Sequence, residues 1–278
     1  MEVLLNLNPI DGNNSGFIEN FQKQTPNLKI HLYGNEEAID APSARNQLME
    51  KFPNFTWYLF IDDDAYYETK YFQEFSNIIK KYPEFSIIGG PNLLPPGSGD
   101  VETLSDWFLK SWFCGPFRRR YQGQGEFQDV NEAELILCNL AIKKSTELKF
   151  SKELPFGEEN ELVWRLQQAQ GRAFYSSKLI VYHFRRQDLL VFLNQIFKYG
   201  LGRGYFLKIH PGFFILGSFI GLIFWLFINI LLSAASIPIL IYLKKNPGRT
   251  FFGAKLFLPA WASAAYFFGV LWGIFKKI

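Results

Sequence analysis

Up to Lys208, short apolar runs alternate with segments whose apolar residues recur every three or four positions. Strand-like runs are EVLLNLN (2–8), LKIHLYG (28–34), TWYLFI (56–61) and FSIIGG (85–90). Helical spacing runs through SGFIENFQKQTP (15–26), APSARNQLMEKFP (41–53, opened by a Pro-Ser signal) and TKYFQEFSNIIKKYP (69–83, closed by Pro83). Strands separated by helices predict an α/β domain with a largely parallel, doubly wound sheet, which places ligands beyond the carboxyl ends of its strands.

The pattern changes after Lys208. Residues Gly212–Leu243 contain no charge, and a second run over 251–275 is interrupted only by Lys255. About 20 apolar residues span a bilayer core, so two transmembrane helices are expected, about 212–243 and 251–275. Arg185, Arg186, Lys198, Arg203 and Lys208 precede the first run, while Lys276 and Lys277 follow the second. With two spans both groups share the cytoplasmic side. The loop with Lys244, Lys245 and Arg249 then faces outward, against that rule; a break at Pro238 into a re-entrant hairpin would return it inside. The organisation expected is an α/β domain (1–184), an amphipathic juxtamembrane segment (185–210) with Leu189, Leu190, Leu193, Ile196 and Phe197 on its apolar face, and a membrane region (211–278).

Composition narrows the picture. The 278 residues include 18% aromatics, far from a disordered composition. A formal charge of +3 gives no electrostatic case for a nucleic-acid partner. Cys114 and Cys138 lack paired metal-ligand spacing and are read as reduced thiols. The N-terminus has no basic region and no sustained apolar run of the secretory kind.

Three aspartates, Asp62, Asp63 and Asp64, end the run TWYLFI. Adjacent carboxylates repel unless something positive offsets them, and hard oxygen donors suit Mg²⁺ or Mn²⁺. The alternative is a helix N-cap with acids favouring the helix dipole. A second cluster, Glu158, Glu159 and Glu161, opens the helical run ENELVWRLQQAQG after Gly157. It reads either as helix-start capping or as the carboxylate a transfer to a hydroxyl needs for its general base. Between the clusters, Trp107, Phe108, Trp112 and Phe113 are followed by Arg118, Arg119 and Arg120. That composition suits a membrane-surface helix or a grip on phosphate, or else an aromatic helix packed on the domain with a solvated basic loop.

In order, SARN (43–46), FIDDDA (60–65), CNLAIKKS (138–145) and FGEENELVWRLQQAQGRAFYSSKLIVYH (156–183) resemble the motifs of family 2 glycosyltransferases over about residues 2–205. The resemblance implies a GT-A-like, Rossmann-like nucleotide-sugar domain with C-terminal transmembrane helices. It implies Mg²⁺ or Mn²⁺ on Asp62 and Asp64, with His183 either a further ligand or structural. Asp62, Asp63, Arg45 and Asn139 are implied on the donor side, Arg45 being alternatively a surface helix cation and Asn139 a backbone cap. Glu159 stands where the family carries its Asp base, a longer side chain, with Glu158 positioning acceptor or backbone. The family's opening strand and P-x-Y-N loop have no counterpart, so the first strand here, with Asn6, matches the family's second. A start farther upstream, a differently built nucleotide pocket and loss of activity each account for that.

The expected function is a membrane-bound, inverting glycosyltransferase with its catalytic domain in the cytoplasm. Its partners would be a nucleotide-sugar donor, a lipid-linked or polysaccharide acceptor and membrane lipids. The alternatives are a polyprenyl-phosphate glycosyltransferase and a non-catalytic membrane scaffold derived from a transferase.

Overall fold

The computed structural model describes residues 2–7, 29–34, 39–62, 64–154, 156–211 and 250–276. The expected helix over 15–26, Asp63, the apolar run 212–243 with Pro238, the loop carrying Lys244, Lys245 and Arg249, and Lys277 lie outside the described residues. The chain forms two compact units, one within Met1–Pro95, Pro116–Lys152 and Glu158–Phe184, the other within Pro96–Gly115, Glu153–Gly157 and Arg185–Ile278.

In the first unit β1 (Glu2–Leu7) pairs in parallel with β2 (Lys29–Gly34). Helix α1 (Ala41–Lys51) starts where the Asp40 carboxylate accepts from the Ser43 amide at 2.9 Å, bonds that hold Asp40 below its ordinary carboxylate range. Then follow β3 (Trp57–Phe60), β4 (Ala65–Tyr67), α2 (Tyr71–Lys81), β5 (Ile87–Gly89) and β6 (Asn92–Leu93). The unit continues with β7 (Glu126–Gln128), β8 (Leu140–Lys143), α4 (Glu158–Gln168), β9 (Ala173–Ser176) and β10 (Val181–His183).

A five-stranded sheet has the order β3-β8-β5-β9-β7, and a three-stranded sheet the order β4-β10-β6. The expected largely parallel sheet is corrected here: β5–β9 is parallel, but β3–β8, β5–β8 and β7–β9 are antiparallel. Parallel return needs a crossover, usually a helix. β8 is instead entered from a short 3₁₀ turn, Leu137–Asn139. Both faces of this sheet are nonetheless apolar. Side chains alternate along each strand, so Ile88, Ala141 and Phe174 join Tyr71, Phe75 and Ile78 of α2 in one core. Ile87, Leu140, Ile142, Ala173 and Tyr175 join Leu162, Val163 and Leu166 of α4 and Met49 of α1 in the other.

The second unit contains α3 (Asp100–Lys110), α5 (Leu189–Ile209) and α6 (Thr250–Phe275). The Arg185 guanidinium donates to Asp106 at 3.2 Å, both side chains being buried, and Phe108 meets Phe192 edge to face. Helices α5 and α6 cross at glycines. A Cβ on Gly200 would lie 1.8 Å from the Tyr266 carbonyl oxygen, and one on Gly204 2.3 Å from that of Val270. From the other side, Gly269 and Gly273 meet the carbonyls of Phe197 and Leu201. Small residues four apart on both helices let the backbones touch. Phe192, Ile196 and Gly200 are buried on α5; of the apolar face the sequence pattern selects, Ile196 is buried, Leu189, Leu193 and Phe197 are half-buried, and Leu190 is 75% exposed.

In α6 the stretch Phe257–Phe275 is long and apolar enough to cross a membrane, its 19 residues extending about 28 Å. Phe268, Trp272 and Phe275 are exposed along it.

Candidate functional site

Asp62 and Asp64 occupy the turn between β3 and β4, where the Ala65 amide donates to the Asp62 carbonyl. Helix α2 begins only at Tyr71, after β4, so these acids are not a helix N-cap. Strand pairing then collects the remaining groups. Phe60 opposes Leu140 in the antiparallel β3–β8 pair, and that register carried two residues farther sets Asp62 beside Cys138. His183 opposes Ala65 in the β10–β4 pair, which brings its ring to Asp64.

The result is a cluster in which ligand atoms of Asp62, Cys138 and His183 lie within 4.8 Å of one another. His183 Nε2 is 2.7 Å from Asp64 Oδ1, and His183 Nδ1 is 3.0 Å from the Asn92 amide nitrogen. The same nitrogen donates to Cys138 Sγ at 3.2 Å. With Nδ1 as acceptor, Nε2 carries the proton that Asp64 receives. Beside the cluster the Tyr67 phenol is pushed well above its ordinary pKa by burial and then by Tyr71, Cys138 and Asp62, so it stays protonated. Carboxylate, imidazole and thiol donors, gathered from the ends of three strands, are donor types that divalent cations take.

Asn139 is fully buried behind this turn. Its amide donates to the carbonyls of Pro91 (2.9 Å) and Leu179 (2.7 Å), and its oxygen accepts from the Tyr71 hydroxyl at 2.8 Å. That arrangement is the backbone-capping reading of Asn139, and it presents no surface to a donor.

The second acidic cluster lies at the start of α4, after Gly157 with φ +72°. Arg45 Nη1 is 2.6 Å from Glu158 Oε1, and its guanidinium lies over the Phe150 ring. Arg45 thus faces the second cluster, not the aspartates. Its neighbour Asn46 clamps the Phe150 backbone in both directions, donating to the carbonyl at 2.9 Å and accepting from the amide at 2.8 Å. Phe150 in turn meets Phe60, the last residue of β3, edge to face at 5.2 Å. A continuous chain of contacts therefore runs from the aspartate strand through Phe60, Phe150 and Arg45 to Glu158.

Glu159 is 14% exposed at its side chain, and Arg120 Nη1 stands 3.9 Å from its carboxylate. Burial, then the Glu158 charge, push its carboxyl up to about 7, against the opposing pull of Arg120 and Arg45. Arg120 is held by two carbonyls, Ala133 at 2.7 Å and Glu132 at 3.1 Å. Arg119 pairs with Glu134, whose other oxygen caps the Asn131 amide. Neither sequence reading of the basic run describes these two cations, which hold the 131–134 turn; Arg118 alone of the three is exposed.

Sequence reasoning missed Asn92 altogether, and missed the place of Cys138 beside Asp62 and of Arg120 beside Glu159. The strand register was the one available signal for Cys138, and it requires knowing that β8 runs antiparallel. No family model matches this chain, and no curated protein matches it.

Proposed function

We propose that the chain is a membrane-anchored glycosyltransferase with a GT-A-like domain, moving a sugar from a nucleotide-sugar donor to a hydroxyl of a lipid-linked or cell-surface glycan with inversion. The observation that carries this reading is Glu159, a mostly buried carboxyl with a pKa of about 7 at a helix start. A general base works best when its pKa lies near the working pH.

Asp62 and Asp64 with His183 are the groups that would hold Mg²⁺ or Mn²⁺, Asp64 through its grip on the imidazole. When bound there, the ion would supply positive charge for a diphosphate leaving group. The acceptor oxygen forms its bond to the anomeric carbon as the carbon–oxygen bond to the diphosphate breaks, and Glu159 takes the hydroxyl proton. Arg45 holds Glu158 at the edge of the acceptor side, and Arg120 keeps Glu159 from rising still further. Helix α6, the second of the two expected spans, would anchor the chain in a membrane, with the sugar transfer on the cytoplasmic side.

The test is Mn²⁺-dependent binding of a panel of nucleoside diphosphates to the full chain in detergent, with Asp64→Ala as control. Binding that disappears without the metal or in the variant is expected. A folded wild type that binds none of them overturns the transferase reading in favour of a scaffold.

A further inference from the structure

The aspartate turn carries a donor that oxygen-only metal chemistry does not call for. Cys138 is 1% exposed, yet its sulfur lies in the same cluster as an Asp62 oxygen and a His183 nitrogen. The Asn92 amide binds both the sulfur and Nδ1, so it bridges the two softer donors, while Asp64 fixes the ring from Nε2. A carboxylate on the far nitrogen of a histidine orients the ring and raises the basicity of the nitrogen that ligates. We propose that Cys138 is a metal ligand, and that the ion on Asp62 and His183 is a thiophilic divalent cation of the Co²⁺ or Zn²⁺ class, bound more tightly than Mg²⁺. The inference rests on the reading of this turn as a cation site and does not depend on sugar transfer.

The argument is one of donor type and spacing. Zinc-class ions take sulfur at about 2.3 Å and histidine nitrogen or carboxylate oxygen at about 2.0–2.2 Å. Ligand atoms around one tetrahedral ion of this kind therefore lie about 3.3–3.7 Å apart, and the three donors here, within 4.8 Å of one another, draw together when the ion binds. Mixed oxygen, nitrogen and sulfur donors favour Co²⁺ and Zn²⁺ over Mn²⁺, and Mg²⁺ takes oxygen. On binding, the thiol releases its proton to solvent, the sulfur gives its electron pair to the ion, and the Asn92 amide gives up its bonds to Sγ and Nδ1.

Co²⁺ titration of the full chain in detergent, followed by absorption, tests this directly. A bound thiolate adds a sulfur-to-cobalt charge-transfer band in the near ultraviolet that oxygen and nitrogen ligands do not produce. The band is expected in the wild type and in Cys114→Ser, lost in Cys138→Ser, and weakened in Asp62→Asn. Excess Zn²⁺ should abolish it and equal Mg²⁺ should leave it in place. Co²⁺ binding to the wild type without the band overturns the proposal, as does a band that persists in Cys138→Ser. Nucleoside diphosphate binding without the band would leave the transferase standing and remove the thiol ligand. A band without nucleotide binding would support the metal site and remove the transferase.

Discussion

The Arg120 guanidinium stands 3.9 Å from the Glu159 carboxylate and is pinned there by the carbonyls of Ala133 and Glu132. A cation so held cannot follow a departing proton, so it acts on Glu159 as a fixed charge. Arg45, Glu158 and Arg120 together decide when Glu159 ionises, with burial opposing the two arginines.

Transferase activity should rise with pH along a limb centred near 7, as Glu159 loses its proton. Arg120→Gln removes a charge that favours the ionised form, so the limb should move to higher pH while nucleotide binding is retained. A pH–rate profile of kcat/KM, which reports the free enzyme, for wild type and variant checks the sign. Unchanged limbs would detach Arg120 from the base.

Glu159→Gln should lower kcat by roughly 10²–10⁴-fold, the usual contribution of a general base, with donor binding intact. An activity that survives the substitution would point to an acceptor that is already an anion, such as a polyprenyl phosphate. Isothermal titration with the donor alongside steady-state assays separates the two.

The same residue links stability to pH. The native carboxyl keeps its proton up to about 7, whereas an unperturbed one releases it near 4.5. Between those values the native state binds more protons than the unfolded state, so stability falls as pH rises from about 4.5 through about 7. Glu159→Gln removes that loss. Its melting temperature should exceed that of the wild type at pH 8, and the gap should close as pH falls below about 4.5.

Asn46→Ala leaves the buried amide and carbonyl of Phe150 without their side-chain partner. Unsatisfied buried groups cost about 1–3 kcal/mol. Urea unfolding should show a loss of that order, together with weaker transfer activity, because Phe150 carries the Arg45 contact to Glu158.

Gly200→Ala places a methyl 1.8 Å from the Tyr266 carbonyl oxygen. Forced separation of α5 and α6 should cost about 1–3 kcal/mol, as overpacking does elsewhere. Thermal unfolding in detergent measures it, and Leu190→Ala, at an exposed position on the same helix, should leave the melting temperature nearly unchanged.

Local pattern determined a good deal of this protein. The strands Trp57–Phe60 and Ile87–Gly89 and the helices Ala41–Lys51, Tyr71–Lys81 and Glu158–Gln168 fall where apolar periodicity and Pro or Gly punctuation place them. The apolar composition of 251–275 likewise marks α6. These features depend on neighbours in sequence, and neighbours in sequence are what a pattern records. Strand direction does not: nothing in LAIK says that it runs antiparallel to WYLF, and only that pairing sets Cys138 beside Asp62. The partners of Arg45, Asn46 and Arg120 were equally illegible, since a cation or an amide in a run of residues has no preferred long-range mate until the chain closes on it. The close approach of α5 to α6 was hidden as well, because Gly200, Gly204, Gly269 and Gly273 become a contact surface only when the two helices are brought together.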